Sequence, residues 1–67
     1  MNQKQIDEIK ALIAQANISL SKATQQLSVI AHIPTQTTYE EIVQMIDYAD
    51  QQISAAKEIL DFIQKEV

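Results

Sequence analysis

The stretch that decides the fold is Tyr39–Val67, YEEIVQMIDYADQQISAAKEILDFIQKEV. Taken at alternating steps of 3 and 4 it yields Tyr39, Ile42, Ile46, Ala49, Ile53, Ala56, Leu60, Ile63 and Val67. Those steps keep side chains on one side of a helix, so the stretch predicts a helix with an unbroken coiled-coil-like seam. A second stripe runs along the same helix through Met45, Tyr48, Gln52, Ala55, Ile59 and Phe62. At roughly 100° per residue it is turned about 110° from the first. One seam can be buried within a short chain, whereas the other calls for a neighbour.

Immediately upstream, the segment His32-Ile33-Pro34-Thr35-Gln36-Thr37 is the one break in helical sequence. Pro34 removes a backbone donor and pushes Ile33 out of the helical region. Thr37 and Glu40 form a T-x-x-E capping box, with Thr38 and Glu41 as a competing register, so a helix is expected to start near residue 38. Further upstream, Ile6, Ile9, Ile13, Ala16, Leu20, Ala23, Leu27 and Ile30 repeat the steps of 3 and 4. Asn2 followed by Gln5 is a cap signal for this first helix, and Asp7 and Glu8 are expected in its first turn, where the helix dipole favours acids.

The expected fold is therefore all-α, a single antiparallel two-helix hairpin. Helix 1 spans about 3–31, the loop about 32–37 and helix 2 about 38–66, because short connections leave helices as antiparallel neighbours. Pairing residues whose numbers sum to 72 or 73 matches the two seams, from Ile30 with Ile42 through Ala23 with Ala49 and Ala16 with Ala56 to Ile6 with Val67. A half-heptad slip remains open as an alternative register.

Composition narrows the function. The chain has 67 residues, no Gly, no Cys, one Pro and a formal charge of −4. So small a domain buries only about 60% of its unfolded surface and has a marginal core. Without cysteine there is no disulfide or thiolate metal site. The lone His32 sits where it can bond the last carbonyls of helix 1. The acidic pairs Asp47/Asp50 and Glu58/Asp61 lack an oxygen-rich loop or an E-x-x-H element, so a solvated face is expected and no cofactor or metal. Serines on bare helices have no base beside them, and there is no Gly-rich phosphate loop, so an enzyme is not expected. Lys4, Lys10 and Lys22 are too dispersed for a nucleic-acid patch. No apolar run approaches the ~18 residues of a membrane span, and the N-terminal residues lack a signal-like hydrophobic region. A cytoplasmic, non-enzymatic protein-binding module is the expectation, with a helical partner or self-association covering Met45, Tyr48, Ala55, Ile59 and Phe62 together with Ile18 and Val29 of helix 1. On that reading Phe62→Asp releases the partner and Ile53→Asp unfolds the hairpin.

The block Gln52–Ile63, QISAAKEILDFI, preceded by Tyr39 at the helix start, resembles the C-terminal helix of the small E-type needle co-chaperones of bacterial type III secretion. The matching A-x-x-I-I/L positions are Ala56, Ile59 and Leu60, with Ile63 beyond them, and about one extra turn separates Tyr39 from the block. The resemblance implies a two-helix hairpin without catalysis or cofactor. It would pair with a larger helical-repeat co-chaperone and shield a needle subunit from early polymerisation. A fainter similarity is to short two-helix proteins of spore-forming bacteria and their phages. In size and topology a homodimer would resemble the plasmid RNA-binding four-helix bundles, here as a structural bundle of phage or plasmid type with no chaperone role.

Overall fold

A computed structural model describes residues 1–66. Two helices, α1 (Gln3–Ala31) and α2 (Tyr39–Glu66), pack antiparallel along their length. The expected partner of Ile6, Val67, lies outside the described residues.

Local chemistry sets each helix end. Asn2 is the cap of α1: its Oδ1 accepts from the Gln5 backbone N–H at 2.9 Å, and its own N–H donates to Gln5 Oε1 at 3.0 Å. Two otherwise orphaned donors are satisfied reciprocally. Because α1 begins at Gln3, Asp7 and Glu8 fall beyond the first turn, which holds no acid. The dipole contribution expected from them fades beyond that turn. At the other end His32 Nδ1 lies 2.9 Å from the Ser28 carbonyl and donates to it, satisfying one of the last free acceptors.

The connection decides between the two capping registers. Thr37 N–H donates to the Pro34 carbonyl at 3.0 Å, a turn that holds Thr37 in the loop. Thr38 then takes the capping role: its Oγ1 accepts from Glu41 N–H at 3.2 Å, and its hydroxyl donates to Glu41 Oε1 at 3.1 Å. The working pair is thus Thr38/Glu41 and not Thr37/Glu40. Thr38→Ala is expected to lower stability by about 1 kcal/mol while Thr37→Ala changes it by less, as urea denaturation would measure.

Packing between the helices is close and narrow. Among the described residues only Ala16, Ala23, Ala49 and Ala56 are buried, each 1–3% exposed. Gln26 Nε2 reaches across to the Met45 carbonyl at 3.4 Å, which fixes the register. Three residues back on α1 and four forward on α2 brings Ala23 level with Ala49, and one heptad further Ala16 comes level with Ala56. Small side chains at these layers let the axes approach. The Cα trace accordingly measures 54 × 17 × 10 Å, two helices wide and one thick. Its radius of gyration is 15.8 Å, against about 11 Å for a globular chain of this length. The molecule is a rod with a line of contact and no enclosed interior.

Candidate protein-docking face

The alanine layers define the line between the helix axes, and every other side chain is placed by its rotation from that line. Ile9, Ala16, Ala23 and Ile30 on α1 and Ile42, Ala49, Ala56 and Ile63 on α2 lie along it and are buried or half-buried. On one flank sit Leu12, Ser19 and Gln26 with Met45, Gln52 and Ile59, all half-buried. On the other flank, about 40–60° from the line, sit Ile13, Leu20 and Leu27 with Ile46, Ile53 and Leu60. These six are 41–51% exposed.

This arrangement corrects the expected seam. Ile13, Leu20, Leu27, Ile46, Ile53 and Leu60 were expected inside the hairpin, but the structure leaves them open on one face. The physical reason lies in the alanines. Close approach puts them on the centre line, and two rods in contact then cover only that line. Residues a third or a fourth step away on either flank remain partly bare. Each row on the open flank repeats every seventh residue, and in the established register Ile13 is level with Leu60, Leu20 with Ile53 and Leu27 with Ile46. The result is a ladder of three aliphatic rungs with no polar side chain among them.

The residues expected to bind a partner do not form one surface. Met45, Ala55 and Ile59 are half-buried, with Met45 and Ile59 on the flank beside α1. Tyr48 and Phe62 are 42% and 52% exposed on that same flank, yet at opposite ends. Tyr48 lines a shallow groove near the loop with Gln26, Glu41 and Met45. Phe62 lines another at the open end with Leu12, Glu8 and Glu66. Between them the flank is polar, through Ser19, Gln26 and Gln52. Val29 and Ile18 are exposed, and Ile18 points to the side of α1 away from α2. Phe62→Asp is accordingly expected to leave the association state of the chain unchanged, as light scattering would measure.

Of the co-chaperone-like positions, Ala56 is buried, Ile59 and Ile63 are half-buried, and only Leu60 stands on the aliphatic ladder. The resembling residues thus serve mainly the contact between α1 and α2. The signal that could have located the ladder was present in the sequence. Alanine recurs on the seam of both helices at sevenfold spacing, which marks the closest line and leaves the larger seam residues off it.

Among the described residues no group of three or more His, Asp or Glu side chains is placed to hold a metal ion, and no helix is long and apolar enough to cross a membrane. Comparison with known proteins found no matching family model, no matching curated protein and no matching solved structure.

Proposed function

We propose that the chain is a non-enzymatic protein-binding module, a small cytoplasmic chaperone or adaptor that presents the Ile13–Leu20–Leu27 and Ile46–Ile53–Leu60 ladder to the helices of a partner. One observation carries this reading: six Ile and Leu side chains share one face and stand 41–51% exposed, while among the described residues the hairpin fully buries only alanines. Contiguous apolar surface of this kind marks an interaction site. Its natural complement is helical, since aliphatic residues at sevenfold spacing accept the ridges of another helix pair. Resemblance of the Gln52–Ile63 block to secretion co-chaperones favours a larger helical-repeat protein as one such partner.

A photo-reactive benzophenone amino acid placed in turn at Leu20, Tyr48 and Ile18 tests the reading in native extract. Adducts are expected from Leu20 and not from Ile18. Adducts from Tyr48 alone would move the docking site to the mixed flank, and none from any position would overturn the proposal. Adduct mass separates a second copy of the chain from a larger partner.

A further inference from the structure

The hairpin exposes more surface than its mass requires. Its accessible area is 5319 Å², whereas a globular monomer of 7.6 kDa exposes about 4,300 Å². The surplus of about 1,000 Å² is close to the ~800 Å² that each partner contributes to a standard interface. The ladder runs about 21 Å along one 54 × 17 Å side of the rod, a side large enough to hold such an interface.

That face is complementary to itself. Its two rows have the same spacing and the same kinds of side chain, Ile and Leu, and their members are level in pairs. A half-turn about an axis parallel to the helices lays Ile13, Leu20 and Leu27 of one copy over Leu60, Ile53 and Ile46 of another at equal heights. An isologous two-fold contact has this requirement.

Charge selects this axis over the perpendicular one. α1 carries Lys4, Lys10 and Lys22 against Asp7 and Glu8, a net +1, whereas α2 carries seven acids against Lys57 and Lys65, a net −5. The perpendicular axis would set α2 against α2 and confront the two acidic helices. The parallel axis sets α1 against α2. At its rim Lys10, one turn before Ile13, comes level with Asp61, adjacent to Leu60, of the second copy.

We propose that a second copy of this chain covers the ladder, α1 of each lying across α2 of the other, in a two-fold four-helix bundle. This names the occupant of the docking face inferred above and rests on that reading. Light scattering of the purified full chain is expected to give twice the 7.6 kDa chain mass. Zero-length carbodiimide cross-linking of mixed ¹⁵N-labelled and unlabelled chains is expected to join Lys10 to Asp61 in mixed-isotope peptides. Lys10→Glu is expected to weaken the dimer about tenfold, and Lys10→Glu with Asp61→Lys to restore it. A monomer up to millimolar concentration, or an assembly larger than two chains, would overturn the proposal. So would mixed-isotope cross-links between Lys57 and Asp50 in place of Lys10 and Asp61, which would report α2 against α2. A monomer that still forms adducts with another protein from Leu20 would remove the second copy and leave the docking face standing.

Discussion

Ile53→Glu is expected to dissociate the bundle. Ile53 occupies the middle rung of the ladder, opposite Leu20 of the second copy, and two-fold symmetry introduces the change twice. Complete burial of a large aliphatic side chain is worth about 1.5–3 kcal/mol, and the 44% of Ile53 left uncovered by the hairpin corresponds to about 0.7–1.3 kcal/mol. Two such losses raise the dissociation constant by about 10- to 100-fold. Sedimentation velocity over a dilution series measures the shift. Ile18→Glu, on the outer side of α1, is the control and should leave the constant within a few-fold of the native value. This outcome replaces the expectation that an acid at Ile53 unfolds the hairpin directly. The side chain is 44% exposed in the single chain, so close to half of it is left for association to cover. An unchanged dissociation constant in Ile53→Glu would remove the ladder as an interface.

Ala56→Leu is the complementary change, acting inside the hairpin. Ala56 is 1% exposed, level with Ala16 at one of the two buried alanine layers. Three added heavy atoms have no space between the axes, so the helices must separate or the side chain must leave its preferred rotamer. Overpacking of this kind costs about 1–3 kcal/mol, occasionally more. The penalty is large for a fold that buries so little. The thermal midpoint at fixed chain concentration should fall well below that of the native protein, with helical circular dichroism lost in the same transition. A Leu at Ala55, half-buried one residue earlier, should be far milder. Equal losses at both positions would mean that the alanine layers are not the closest contact.

Much of the architecture was legible in the chain. Asn2 and Gln5 announce the start of α1, Pro34 announces the break, and the steps of 3 and 4 announce two long helices. The capping register was not decided by pattern, because Thr37 and Thr38 each have a glutamate three residues on. Only the turn from Thr37 N–H to the Pro34 carbonyl separates them. The aliphatic ladder was not singled out by pattern for a related reason. Periodicity tells which residues share a side of a helix but leaves the rotation of that side toward its neighbour unset. Tyr48 and Phe62 belong to a stripe at steps of 3 and 4 that turns away from α1, whereas the rotation of the helices is set by the four smallest residues on the seam. Alanine contributes little hydrophobic signal of its own. Its effect is to set the distance between axes, and through that distance the rotation of every Ile and Leu beside it.

The single loop at 32–38 also gives the rod a polarity. Met1 and Gln5 share a groove with Phe62 and Glu66, so the start of α1 and the end of α2 at Glu66 lie at the pole opposite Pro34. A symmetry axis running lengthwise keeps that polarity, so the start of α1 and the end of α2 of both copies would lie at one pole and both loops at the other. Anything fused to either end, such as a fluorophore, a tether or a further domain, would crowd a single tip. An object bound at the loops would meet a matched pair of His32–Thr38 turns, held about 50 Å from whatever the ends are attached to.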